Sequence, residues 1–129
     1  MAGVILDASA LLAMLQGEPG ADKVADAIDD SRMSTVNYAE VVSHYARLGA
    51  QQHAIEAMLR PLPIDLVSAD PGLAVMAGMM RQQTGELGLS LGDRFCLALA
   101  QRDGLAAWTA DKAWQGVADV LGLEVVLIR

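Results

Sequence analysis

Val4-Ile5-Leu6-Asp7-Ala8-Ser9-Ala10-Leu11-Leu12 passes from a β-branched apolar run to an acid and then into a stretch of Ala, Leu and Met. Gly3 to Leu6 reads as a fully buried strand that stops abruptly at Asp7. Ala8 to Gln16 holds good helix formers, and Gly17-Glu18-Pro19-Gly20 punctuates its end with two glycines and a proline. A strand-helix unit with an aspartate at its junction results.

The same alternation continues along the chain. Val24, Ala27 and Ile28 lie at helical spacing within Ala21 to Asp30, and Met33-Ser34-Thr35 is predicted as a second strand. From Val36 the period is helical again, with Tyr38, Val41, Val42, Tyr45 and Leu48 on one stripe that ends at Gly49. Ala54, Ile55, Met58 and Leu59 define a further helix, stopped by Pro61 and Pro63, and Ile64 to Val67 reads as a third strand. Asp70-Pro71 is a capping residue followed by proline at the first helical position, and Leu73, Met76, Ala77 and Met80 follow on one face. After a loop from Gly85 to Gly92, Phe95 to Ala100 is apolar on every side of its helix, which should therefore lie deep. Leu105 to Thr109 and Glu124 to Ile128 are the last two strands, with a helix from about Asp111 to Leu121 between them. Five strands alternating with helices imply an α/β fold with a mostly parallel sheet covered on both faces.

The 129 residues are one domain's worth, so a single domain over 1–129 is expected. With 53% apolar and 19% charged residues the chain lies far from the composition of disorder. Its longest apolar runs, Ala10 to Leu15 and Phe95 to Ala100, are too short to cross a membrane. Lys23 is the first basic residue and Asp7 precedes the first apolar helix, which argues against a secretory leader and for a cytoplasmic protein. The single cysteine, Cys96, makes neither an internal disulfide nor a thiolate zinc cage. A net charge of −7 argues against holding nucleic acid by phosphate neutralisation alone, but not against divalent cations bridging gathered carboxylates to phosphate.

In an open parallel sheet, ligands bind beyond the carboxyl ends of the strands, where strand order reverses. Asp7 directly follows the first strand and Asp111 follows the fourth, with only Ala110 between. Glu40 lies in the helix after the second strand, and Asp93 at the start of the buried helix. All four can point at one rim. Taken singly each also fits a helix start: Asp7 and Asp111 as caps, Asn37-x-x-Glu40 and Ser90-x-x-Asp93 as capping boxes. Taken together, with only Lys112 and Arg94 adjacent, they would repel by roughly 4 kcal/mol per close pair at an effective dielectric of about 20. A cation resolves that repulsion, and hard oxygen ligands select Mg²⁺ or Mn²⁺. The chemistry that follows is metal-assisted attack of water on a phosphodiester.

Other residues carry weaker signals. His44 follows Glu40 by one turn and fits a polar stripe with Arg47, while Cys96 fits a small buried hydrophobe. Gly85, Gly88 and Gly92 lack the Gly-Lys-Ser/Thr of a phosphate loop. Arg94 and Arg102, on one helix, fit either RNA phosphate contacts or solvated charges.

The segments Val4 to Leu12, Gly17-Glu18-Pro19-Gly20, Val36 to Val42 around Glu40, Leu89-Ser90-Leu91-Gly92-Asp93-Arg94-Phe95-Cys96-Leu97-Ala98-Leu99-Ala100 and Thr109-Ala110-Asp111 resemble the PIN domain, in the version found in VapC-type toxins. The resemblance runs through the whole chain in the right order. It implies a three-layer α/β/α sandwich and a Mg²⁺-dependent endoribonuclease of a type II toxin-antitoxin pair. The family's acidic quartet falls on Asp7, Glu40, Asp93 and Asp111, with Ser9 and Thr109 as supporting hydroxyls. Asp7 and Asp93 are assigned as the principal metal contacts, Glu40 and Asp111 as orienting the attacking water; one or two ions both remain open. A VapB-like antitoxin and a homodimer are implied as partners, beside the RNA substrate. Trp114 stands where Phe is more usual, and Lys112 sits beside the last acid. Two other acid-and-magnesium folds fit poorly. A haloacid dehalogenase phosphatase needs an acid where Ser9 stands, and a receiver domain needs one after the third strand, which ends at Val67-Ser68. A catalytically inactive PIN-fold interaction module is the alternative, though its mark would be loss of a quartet member and all four are present.

Overall fold

Ile5 and Leu6 are neighbours in sequence, both without solvent exposure, and they belong to two different cores. Strand geometry sends successive side chains to opposite faces, so this one dipeptide marks a sheet covered on both sides. The structure, a computed structural model, describes residues 3–129. Its chain order is β1 (Val4–Leu6), α1 (Ala8–Gln16), α2 (Ala21–Ala27), a 3₁₀ turn (Ile28–Asp30), β2 (Ser31–Ser34), α3 (Thr35–Arg47), α4 (Gln52–Leu59) and β3 (Ile64–Val67). There follow α5 (Pro71–Met79), α6 (Arg81–Thr84), α7 (Leu91–Asp103), β4 (Ala106–Thr109), a second 3₁₀ turn (Lys112–Gly116), α8 (Val117–Leu121) and β5 (Val125–Leu127).

The five strands lie in the order β3-β2-β1-β4-β5 and every pairing is parallel, where the sequence predicts only a mostly parallel sheet. On one face Ile5 and Ala107 pack against Leu73 and Ala77 of α5, the apolar run Cys96 to Ala100 of α7, and Val117 and Leu121 of α8. On the other, Leu6 and Met33 pack against Ala10 and Leu11 of α1, Val24 of α2, Val41 of α3 and Ile55 and Leu59 of α4. This is a three-layer α/β/α sandwich. The chain builds outward from β1 to β3 and then returns to place β4 on the other side of β1. Strand order therefore reverses at the β1/β4 seam, where Leu6 lies opposite Trp108 and Asp7 N–H donates to the Trp108 carbonyl at 3.1 Å.

Several boundaries differ from the sequence reading for local reasons. Strand β2 starts at Ser31, and Thr35 is already helical because extended Ser34 caps α3, its Oγ accepting from Val36 N–H at 3.2 Å. Asn37 consequently lies inside α3, and Asn37-x-x-Glu40 is not a capping box. The segment from Asp111 to Leu121 divides into a 3₁₀ turn and a short helix. Gly92 belongs to the first turn of α7 and not to the preceding loop. Asp70-Pro71 starts α5 as predicted, with Asp70 Oδ1 accepting from Leu73 N–H at 2.8 Å. No helix among the described residues is long and apolar enough to cross a membrane.

Gly20, between α1 and α2, has φ +94°, and a Cβ there would stand 2.6 Å from the Ile128 carbonyl oxygen. Gly49 has a similar φ of +92° but open space around it. Gly20→Ala is therefore expected to cost more than the roughly 1–3 kcal/mol of backbone strain that Gly49→Ala incurs. Thermal melts of the two variants should rank them in that order; equal losses would contradict the close approach.

Candidate active site

Asp7 ends β1 and caps α1, so its side chain is fixed at the seam by the same geometry that turns the chain from strand to helix. Only 4% of the residue is exposed. Its Oδ1 accepts from Ala10 N–H and Ser9 Oγ at 2.8 Å each, and its Oδ2 accepts from Thr109 Oγ1 at 2.7 Å and from Ser9 Oγ at 2.9 Å. The two hydroxyls in turn accept backbone N–H groups: Ser9 Oγ from Ala110 at 2.9 Å and Thr109 Oγ1 from Asp111 at 3.0 Å. Each hydroxyl has one proton to give, and the backbone donors leave it pointing at Asp7. Ser9 and Thr109 thus join β1 to the start of the segment that carries Asp111.

Asp93 sits in the first turn of α7 and forms the capping box that its spacing predicts. Ser90 Oγ accepts from Asp93 N–H at 3.1 Å, and Asp93 Oδ2 accepts from Ser90 N–H at 2.9 Å. Asp111 caps the second 3₁₀ turn through Oδ1, which accepts from Ala113 N–H at 2.9 Å. Glu40, on exposed α3 surface, accepts from Asn37 Nδ2 through Oε1 at 2.8 Å and lies over Gly92 of α7. The capping reading does not exclude the clustering one: three carboxylates cap a helical turn, and Asp7 feels the charge of Asp93 as Asp93 feels that of Asp111.

Charge ties the group together. Burial pushes the Asp7 carboxyl up to about 6 from an ordinary 3.8, against the pull of the Thr109, Ala10 and Ser9 hydrogen bonds, and the Asp93 charge adds to the rise. Asp93 is also raised, chiefly by burial and further by Asp111, while its bonds to Ser90 and the nearby Arg94 charge oppose this. The Cys96 thiol, fully buried one turn after Asp93, is pushed well above its usual range by burial and then by Asp7, Asp93 and Glu40 together. Cys96 is a small buried hydrophobe facing three acids, not a nucleophile. None of the ion pairs among the described residues includes Asp7, Glu40, Asp93 or Asp111.

The donor chemistry fits a hard divalent cation, since all four groups offer carboxylate oxygen and no histidine stands among them. The carboxylates do not stand ready as a cage: among the described residues no three acids, histidines or cysteines are arranged to hold an ion. Asp93 and Asp111 each have one oxygen turned back to their own helical turn, so closing on an ion requires these side chains to rotate.

Arg94 departs from both sequence readings, whereas Arg102 is the exposed surface charge that one of them expects. Arg94 is 3% exposed and donates through Nε to Thr84 Oγ1 at 2.9 Å, so it reaches neither RNA nor solvent. Arg102 pairs with Asp103 at 2.9 Å, far along α7 from the acidic turn. His44, in the last turn of α3 with Arg47, bonds to Gln16 Nε2 at 2.8 Å. Sequence reasoning paired Asn37 with Glu40 only as a capping box and missed Gly92 as a neighbour of Glu40. A glycine inside the first turn of a helix, where it weakens the helix, is the signal that could have indicated a close approach at Gly92.

Because the folded pKa of Asp7 is raised, the native state binds its proton more tightly than the unfolded chain does. Stability from this group is present in full below about pH 4 and is lost as pH rises to about 6. Metal-free Asp7→Asn should therefore gain on the parent protein across that window, by up to about 3 kcal/mol, and keep a constant advantage above it. Denaturant titrations in EDTA from pH 3.5 to 8 measure the difference; a gap independent of pH would contradict the burial of an ionised Asp7.

Residues 4–120 match the family described as PIN domain. A VapC ribonuclease of Mycobacterium bovis is 30% identical over 111 residues, covering 78% of this chain and 85% of the relative. Ribonuclease VapC42 of Mycobacterium tuberculosis matches to the same extent. Among solved structures, a toxin-antitoxin complex from Klebsiella pneumoniae superposes with a TM-score of 0.73 at 21% identity, covering 98% of both chains. The sarcin-ricin loop cleaving toxin VapC20 of Mycobacterium tuberculosis gives a TM-score of 0.73 at 17% identity, over 89% of this chain and 95% of its own. The structural likenesses speak for the fold, and the match along most of the sequence makes this chain a member of the PIN-domain family, in its VapC branch.

Proposed function

We propose that this chain is a Mg²⁺-dependent endoribonuclease, the toxin of a VapBC-like type II toxin-antitoxin pair, acting in the cytoplasm as a single PIN domain. What supports the reading most is the uncompensated charge at the β1/β4 seam, where Asp7 is raised by burial and further by Asp93, and Asp93 by burial and further by Asp111. Two VapC ribonucleases among the relatives point to RNA as substrate.

Asp7 and Asp93 would hold the cation, with Ser9 and Thr109 fixing the Asp7 carboxylate so that its outward lone pairs face the rim. A divalent cation, when bound, neutralises the phosphodiester and acidifies a water beside it. Mn²⁺ is the natural substitute for Mg²⁺ at such oxygen ligands. Asp111 and Glu40, the more exposed pair, would accept hydrogen bonds from the water around the cation, adding to its hold and orienting the attacking water toward phosphorus. With a net charge of −7 the protein repels RNA until a cation is in place, which makes metal a condition of binding as well as of chemistry. The same negative rim suits an antitoxin that reaches it with basic side chains, and a homodimer is the unit such an antitoxin would bind. A second reading, a PIN-fold interaction module without catalysis, draws on one observation, that the acids do not stand as a preformed cage.

Purified protein incubated with total tRNA and rRNA should give discrete fragments with Mg²⁺ or Mn²⁺ and none with EDTA. Asp7→Asn and Asp93→Asn should each lower the rate by at least about a hundredfold, the loss expected when a metal contact is removed. Cleavage that persists in EDTA, or survives both substitutions, would exclude the metal mechanism. Metal binding with no cleavage of any RNA would favour the interaction module.

A further inference from the structure

Asn37 is 1% exposed inside α3, and α3 does not need it as a cap because Ser34 fills that role. Its Nδ2 carries two hydrogens and both are used: one goes to Glu40 Oε1 at 2.8 Å, the other to the Gly92 carbonyl of α7 at 2.9 Å. From the far side Glu40 is held by Gly92 itself, since a Cβ there would lie 2.7 Å from the Glu40 carboxylate carbon and 2.8 Å from Oε1. The carboxylate of Glu40 is thus clamped between an amide on its own helix and the bare backbone of the turn that presents Asp93. The clamp carries a cost. Asn37 Oδ1 is buried and has no hydrogen-bond partner, whereas an apolar side chain of similar size would bury no orphan acceptor.

From this geometry we infer that Asn37 is a positioning residue, holding Glu40 against the first turn of α7 so that its carboxylate faces the same rim as Asp93. The inference rests on the reading of Glu40 as a member of the acidic site. Asn37 does not touch the reacting atoms; it acts through Glu40, as partners behind metal-ligating carboxylates commonly do. A charge-assisted donor of this kind favours one rotamer of an otherwise exposed, flexible glutamate. Gly92 is the second half of the device, because any larger residue would push Glu40 out of place.

The test is a double-mutant cycle read by Mn²⁺ binding to the metal-free protein, followed by electron paramagnetic resonance, with a thermal melt of each variant as control for folding. Asn37→Ala is expected to weaken Mn²⁺ binding by roughly tenfold or more, the usual effect of removing such a partner. Glu40→Ala should weaken it at least as much, and the double variant should be no weaker than Glu40→Ala alone. A general loss of structure would instead add to the Glu40→Ala effect. Gly92→Ala, which leaves the core untouched, supplies the same test if Asn37→Ala does not fold: it should weaken Mn²⁺ binding in the parent and be silent in Glu40→Ala. Parent-like Mn²⁺ affinity in Asn37→Ala, or additive losses in the double variant, overturns the positioning role while leaving Glu40 in the site. If Glu40→Ala itself binds Mn²⁺ as the parent does, the acidic-site reading of Glu40 falls and the role of Asn37 with it.

Discussion

The carboxylate of Asp7 is almost wholly withdrawn from water and yet accepts hydrogen bonds from Ser9, Ala10 and Thr109. Much of the architecture follows from keeping that group where it is. It terminates β1, caps α1, and through Thr109 and Ser9 fastens the end of β4 to the β1/α1 junction. Burial makes the charge expensive and the donors make it bearable, so the group is balanced at a pKa of about 6. A carboxylate so balanced gains sharply when a cation arrives, because the cation removes the unfavourable part and leaves the hydrogen bonds intact.

The remaining acids extend the same logic at lower burial. Asp93 and Asp111 each serve a helical turn with one oxygen, which fixes their backbones, while no ion pair among the described residues compensates either. The protein's ion pairs lie elsewhere, among them Arg32 with Asp103 at 2.9 Å and Arg129 with Glu18 at 3.5 Å. Arg94 beside Asp93 is buried and committed to Thr84, and Lys112 beside Asp111 is exposed. The consequence is a seam of negative potential in a protein that is already acidic.

Much of this was legible in the sequence because the informative signals are local. A β-branched run that stops at an acid, Asp70 before Pro71, and Ser90 three residues before Asp93 each need only neighbours to be interpreted, and each is realised in the structure. That Asp7 follows the first strand and Asp111 the fourth was legible too, whereas the pairing of those two strands at the reversal of strand order is seen only in the fold. What was not legible depends on contacts between elements. Asn37 looked like a cap until Ser34 took that place, and its partnership with Gly92 spans 55 positions. Arg94 looked like a surface charge because nothing in its own helix says that Thr84, at the end of α6, closes over it. The closing of the site is likewise outside local reach, since it turns on which carboxylate oxygens leave their caps.

The claim on which the account depends is that Asp7 and Asp93 share a divalent cation at the β1/β4 seam. Crystals of the protein soaked in Mn²⁺ and measured at the manganese absorption edge test it directly. The account predicts an anomalous peak within coordination distance of Asp7 and Asp93, with Asp111 turned toward it from its capping position. No peak at the seam at saturating Mn²⁺, or a peak only at the distant acids Asp29, Asp30 and Asp65, would contradict it.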